Sequence, residues 1–250
     1  VTFHTILGGW ATAAEVAKKR DKFKSKANSK SKSKSKSTAA ANAAAAKIPI
    51  RAEAWLEEMH RRSHPPSTRA YGSILQAWSL STRCDEDAAD RAEEFLKGHV
   101  WKILEDNDDI HSAPGITICT NIVLRAWSNQ IASFPTSTGV VQTSGRPSGR
   151  AVGRCLRLFQ DFLALTKSSS LPSLAPTAET FRAVLHAIVS PSNGMTPVQK
   201  YDHSRALLAC MTDVYNIRPG PADLKKFERI ESMIEHGYLQ RTKQKGNTNK

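Results

Sequence analysis

Four stretches of the 250-residue chain place large residues at one and the same spacing. In VTFHTILGGW, Phe3, Ile6, Leu7 and Trp10 fall at i, i+3, i+4 and i+7. That is one face of a helix. In AYGSILQAWS the same slots hold Tyr71, Ile74, Leu75 and Trp78. In CTNIVLRAWS they hold Thr120, Val123, Leu124 and Trp127, and in TFRAVLHAIV they hold Phe181, Val184, Leu185 and Ile188. This element is helix A. A second element, helix B, recurs between the copies. Its slots are Ala52, Trp55, Leu56 and Met59; Ala92, Phe95, Leu96 and His99; Cys155, Leu158, Phe159 and Phe162; Ser204, Leu207, Leu208 and Met211. Each copy of helix B begins with a small residue, which lets two helices approach closely.

A proline turn follows each helix B, at Pro66, Pro114, Pro176 and Pro219. Proline stops one helix and sets an extended lead into the next. The order is therefore A, B, turn, four times over, with the start of a fifth unit. A single helical hairpin cannot bury its apolar face alone, so the pattern predicts an all-α stack of helix-turn-helix units. Val1 falls inside the first helix A, which leads to the expectation of a piece cut from a longer array.

The quoted stretches resemble the pentatricopeptide repeat family. VTFHTILGGWA is similar to the first helix of that family's unit of about 35 residues, AEAWLEEM to the second, and the proline turns to its closing segment. The tetratricopeptide pattern of W, LG and Y in the first helix is not seen here. The resemblance implies a right-handed α-α superhelix that binds single-stranded RNA, about one base per repeat, through side chains on its inner face. It also implies work in organelle RNA metabolism: transcript stabilisation, processing, splicing or translation, alongside other proteins of that machinery. The implied compartment is the mitochondrion or the plastid, the alternative being the cytoplasm or nucleus.

The base-reading positions carry over residue by residue. The first follows the aromatic slot of helix A, which gives His4, Gly72, Asn121 and Arg182. The second follows the turn proline, which gives Ser67, Gly115, Thr177 and Gly220. The third unit has one extra turn residue, so Ile116 competes with Gly115. In the family Asn at the first position favours pyrimidines; its partner Thr177 is not the usual Asp or Asn. Gly72 has no side chain to read with, and Arg182 suits a base or a phosphate. For His4 and Asn121 the alternative is a plain solvated polar residue.

The spacing departs from the family. Sixty-eight residues separate Phe3 from Tyr71, 49 separate Tyr71 from Thr120, and 61 separate Thr120 from Phe181. The units fall near 1–67, 68–115, 116–177 and 178–220, with a partial unit at 221–237 and the array ending by residue 240. The extra residues lie mostly between helices A and B. Residues 15–47 and 130–150 are low in complexity and poor in apolar residues, which predicts disordered insertions.

Charge follows the same division. The net charge is +13. Residues 17–36 hold ten Lys/Arg and one Asp, and the tail 241–250 holds four Lys/Arg and no acid. These two segments account for the whole excess, so the remainder is neutral. The Lys/Ser tract reads as a solvated linker or as a phosphate-binding arm; its KKRDK also imitates a nuclear signal. A neutral body with few preferred reading residues leaves a rival function open, a helical scaffold that binds proteins and reads no RNA.

No enzyme motif appears. His60 and His64 stand four apart, but Arg61 replaces the Glu of a zinc-protease helix. The acidic stretch with Asp106, Asp108 and Asp109 lacks the Gly and Glu of a calcium loop. There is no phosphate-binding loop or nucleophile elbow, so no catalytic residue, metal or cofactor is expected. Cys84, Cys119, Cys155 and Cys210 form no CxxC pair and read as small buried residues of a reducing compartment. No apolar run is long enough for a membrane span.

Overall fold

The turns set the helix boundaries. In the computed structural model, which describes residues 9, 35–82, 85–106, 113–133, 147–169, 171 and 173–247, helix α1 (Ser35–Arg61) ends on Ser63. Ser63 takes φ 57°, and the N–H groups of Ser63 and His64 bond back to the carbonyls of His60 and Met59 at 2.9 Å. These two bonds satisfy carbonyls the last helical turn would leave open. Pro66 follows, and Ser67 then caps α2 (Thr68–Ser81) by accepting the Ala70 N–H at 3.4 Å. The same device recurs near the other end of the chain. Asn216 takes φ 52°, Pro219 follows three residues later, and α9 (Pro221–Asn247) begins two residues after that.

Between these ends lie α3 (Ala88–Phe95), which runs into a π-turn at Leu96–Val100 and on to α4 (Lys102–Asp106), and α5 (Ala113–Ser133). They are followed by α6 (Pro147–Ser168), α7 (Ala178–Val189) and α8 (Pro197–Ala209), the last ending in a π-turn at Cys210–Val214. Thr196 caps α8 by accepting the Gln199 N–H at 3.2 Å, and the Gln199 side chain accepts the Thr196 N–H at 3.0 Å. Among the described residues every regular element is helical and there is no strand.

Packing follows chain order. The helix-A elements α2, α5 and α7 touch one another in sequence, and α9 packs on α7 and α8. Helix α3 lies against α2 and α5, and α6 against α5 and α7. The periodic apolar slots form one core: Ile74, Leu75, Trp78, Val123, Leu124, Trp127, Phe181, Val184, Leu185 and Ile188 are buried. Thr120, in the slot that holds Tyr71 and Phe181 in the other copies, is also buried. Its hydroxyl accepts the Trp101 indole N–H at 3.2 Å, and Trp101 in turn stacks on Phe162. The small Thr leaves room that a Trp from the preceding unit uses.

One polar bond is repeated. Trp78 donates its indole N–H to Glu53 at 2.6 Å, and Trp127 donates to Glu93 at 2.9 Å. Glu53 and Glu93 each follow the small first residue of a helix B. Each Trp ring also meets the arginine just before the next helix B: Arg91 lies 5.3 Å from the Trp78 ring, and Arg154 lies 5.8 Å from the Trp127 ring. Further ion pairs tie α3 and its π-turn to α6, namely Arg150–Asp90 at 3.1 Å, Arg154–Glu93 at 3.3 Å and Lys97–Asp161 at 2.7 Å.

Three boundaries differ from the sequence expectation. Residues 35–47, assigned to a disordered insertion, form the first part of α1. Their alanine-rich run has the highest intrinsic helix propensity, which outweighs low complexity. Residues 130–133 and 147–150 likewise belong to α5 and α6. Pro114 and Gly115, assigned to a turn, lie in the first turn of α5, where proline's missing N–H would be unsatisfied anyway. Apart from Gly9, the first helix A, the rest of both insertions, Cys84 and the centre of the acidic stretch lie outside the described residues.

Candidate nucleic-acid interface

The reading positions sit where a helix A begins or completes its first turns. Thr177 is the N-cap of α7, as Ser67 is of α2. Gly220 immediately precedes α9, and its carbonyl accepts the N–H groups of Asp223 and Leu224. Asn121 and Arg182 lie on α5 and α7. The fold brings Asn121 to Thr177, the N-cap of α7, and Arg182 to Gly220, just before α9.

Asn121 is 7% exposed. Its amide donates to Thr177 Oγ1 at 3.1 Å, and its carbonyl oxygen accepts from Thr180 Oγ1 at 2.6 Å. Thr180 is buried and also accepts the Thr177 N–H at 2.9 Å. Asn121 therefore clasps α5 to α7. Arg182 is more open, with 42% of its side chain exposed. It pairs with Glu179 one turn back, and its Nε lies 3.6 Å from buried Asp223. Asp223 also accepts the Gly220 N–H at 3.3 Å. The two arrangements, Asn121–Thr177–Thr180 and Arg182–Gly220–Asp223, are equivalents one unit apart. Thr180 and Asp223 were not singled out from the sequence, yet both stand three residues after a cap, the slot where a side chain bonds back to the cap N–H.

The remaining positions read differently. Gly72 is half-buried against α5, where an added Cβ would lie 3.7 Å from Cys119 Sγ. Gly115 is a packing residue: an added Cβ would come within 2.6 Å of Thr68 Cβ. Its competitor Ile116 is fully buried in the core and presents nothing to a ligand. His4 lies outside the described residues.

Arg69 and Arg125 are exposed on α2 and α5 and make no ion pair with a described residue. Arg125 stands one helical turn beyond Asn121. His186, one turn beyond Arg182, places Nδ1 2.5 Å from Ser128 Oγ. Burial, and secondarily the Lys226 charge, pushes its pKa below the ordinary imidazole range, so it is neutral at pH 7. Burial pushes the Cys119 and Cys155 thiols up to about 12. They are protonated at neutral pH and serve as packing. His60 and His64 do not share a helix face, because α1 ends between them. Among the described residues no group of three His, Cys, Asp or Glu is placed to hold a metal, and no helix is long and apolar enough to cross a membrane.

Among the side chains on α2, α5 and α7, Arg69 and Arg125 are exposed and Arg182 is half-exposed, while Asn121 is held within the protein. No protein-family model, curated protein or solved structure matches the chain.

Proposed function

We propose that the chain is an α-solenoid of pentatricopeptide-like helix-turn-helix units that holds single-stranded RNA along its helix-A face. The observation that carries this reading is the double pairing of first and second positions, Asn121 with Thr177 and Arg182 beside Gly220. A base seated between successive units would meet both members of a pair. The repeated Glu–Trp–Arg contact supports a stack of equivalent units, each bound only to its neighbours. The mechanism is passive: a strand held in the groove is shielded from nucleases or kept from folding on itself. Organelle RNA metabolism, in the mitochondrion or plastid, is the setting the family resemblance favours.

A second reading, a protein-binding scaffold, is favoured by one feature. Asn121 is buried and both ends of its amide are engaged within the protein, while Ile118 on the same helix is 59% exposed. The deciding experiment is a salt-series titration of the purified chain, and of a variant lacking residues 17–46, against random single-stranded RNA. Binding that survives the deletion and moderate salt supports a reading groove. Binding that disappears with the tract, or never occurs, refutes it and leaves the scaffold.

A further inference from the structure

The turn between α6 and α7 is longer than the one between α1 and α2, and it leaves a cleft beside it. The cleft holds about 370 Å³ and lies between that turn and the π-turn that closes α8. Leu171 and Leu174 line it from one side, Val214 and Tyr215 from the other. Both walls are fixed by the chain's own bonds. Leu174 donates its N–H to the Leu171 carbonyl at 3.1 Å, and Ile217 donates to the Met211 carbonyl across the π-turn at 2.9 Å. The Tyr215 ring rests against Phe181 at 5.7 Å. Leu174 is buried, whereas Val214 stays 64% exposed, so the floor is closed and the mouth is open and apolar. Single π-turns of this kind occur frequently at functional sites.

The hydroxyls of the walls are engaged within the chain. Thr166 Oγ1 donates to the Leu163 carbonyl at 2.9 Å, and Ser169 Oγ accepts the Leu171 N–H at 3.2 Å. Lys167 differs from them. It lines the cleft and makes no ion pair with a described residue. Asp213, on the π-turn, accepts the Thr212 hydroxyl at 2.7 Å instead. Lys97, on the other π-turn, is the contrast: Glu93 at 3.0 Å and Asp161 at 2.7 Å neutralise it. The Lys167 charge is felt at the π-turn itself, where burial pushes the Cys210 thiol up and Lys167 partly offsets the rise. Ligand sites are concave, of roughly 300–1,000 Å³, mostly apolar, with a few polar groups that fix orientation. Here the apolar walls carry one uncompensated cation. An amine would be repelled, and a phosphate would find one ammonium and otherwise hydrocarbon. A single carboxylate on an apolar body meets both features. We propose that this cleft binds a small amphipathic carboxylate, with its aliphatic body against Leu171, Leu174, Val214 and Tyr215 and its carboxylate on Lys167. The site is separate from the helix-A face, so it stands or falls independently of the RNA reading.

The test titrates the full chain by calorimetry with octanoate, 1-octanol and octylamine, at about 0.15 M salt to screen the distant charges of the basic segments. The expected result is saturable binding of octanoate, with octanol weaker by roughly 3- to 10-fold and octylamine weaker still. Lys167→Gln brings octanoate down to the octanol level. Val214→Asp places a carboxylate at the mouth and abolishes octanoate binding. Both variants change exposed side chains, so the melting temperature without ligand stays that of the parent chain. Arg69→Gln removes an exposed cation from α2 and leaves octanoate binding unchanged. The proposal is overturned if octanoate binding does not saturate or is no tighter than that of octylamine. It is overturned equally if either Lys167→Gln or Val214→Asp binds octanoate as the parent does, or if Arg69→Gln weakens it as much as Lys167→Gln.

Discussion

Removing the Glu93 carboxylate tests what joins α3 to α5 and α6. Glu93 is 3% exposed. It accepts the Trp127 indole N–H at 2.9 Å and pairs with Lys97 at 3.0 Å and Arg154 at 3.3 Å. Trp127 is itself 1% exposed, so in Glu93→Ala water does not readily replace the lost acceptor. A hydrogen bond to a charged group contributes about 1.5–3 kcal/mol, and an orphaned buried donor costs a similar amount. The two overlap, since they describe one bond. Lys97 and Arg154 keep 39% and 31% of their side chains in water, so their lost pairing adds little. The expected total is about 2–4 kcal/mol. Glu93→Gln keeps a neutral acceptor and costs about 1–2 kcal/mol. Glu53→Ala removes the equivalent bond to Trp78; that ring is 1% exposed like Trp127, but Glu53 is half-buried and its loss opens the indole N–H toward solvent, so the cost is smaller, about 1–2 kcal/mol. Urea unfolding followed by tryptophan fluorescence reads all three; for a chain of this size each kcal/mol also moves the melting temperature by about 2–4 °C. The reasoning is refuted if Glu93→Gln is as costly as Glu93→Ala, or if the Glu53 variant matches the Glu93 variant.

Three further outcomes follow from the same geometry. Gly115→Ala drives a methyl into Thr68 Cβ and costs about 1–3 kcal/mol, and the loss shrinks when Thr68→Ala is added, as a double-mutant cycle in denaturant would register. Asn121→Ala leaves the buried Thr180 hydroxyl without one of its partners and costs about 1–2 kcal/mol in the same assay; a neutral effect would mean that the clasp between α5 and α7 does not form. Burial holds His186, and likewise His99, below the ordinary imidazole value, so the unfolded chain binds protons first as pH falls below about 6.5. Stability is therefore full above that value and declines as pH falls toward the folded-state pKa, and thermal melts at about pH 7.5 and about pH 5 should show a smaller drop for His186→Gln than for the parent chain.

The helix-A slots illustrate what was legible beforehand. Ile74, Leu75 and Trp78, with Val123, Leu124 and Trp127, are buried as their spacing requires, because a helix turns its periodic residues to one side whatever it later packs against. Ser67 and Thr177 were expected only as base-reading positions; both cap a helix, a role that a hydroxyl after a proline turn also signals. The site was legible only as positions. The pairing of Asn121 with Thr177 was an expectation from the resemblance; that Thr180 takes the other end of the amide was not foreseen. Gly115 and Ile116 show the same limit. The turn proline assigned both to a loop, but the helix starts earlier and turns Ile116 into the core.

The sequence by itself determined which face the described copies of helices A and B bury, and the turns at Pro66, Pro176 and Pro219, but not every helix boundary. These are local matters, decided by side-chain spacing and backbone geometry within one or two turns. Tertiary structure alone decided the polar partnerships: Trp127 with Glu93, Trp101 with Thr120, and Arg182 with Asp223. Their members come from different helices, and no pattern within one helix records which polar group a neighbour will present. A buried donor takes whatever acceptor the packing brings within reach, and that choice exists only once the helices have stacked.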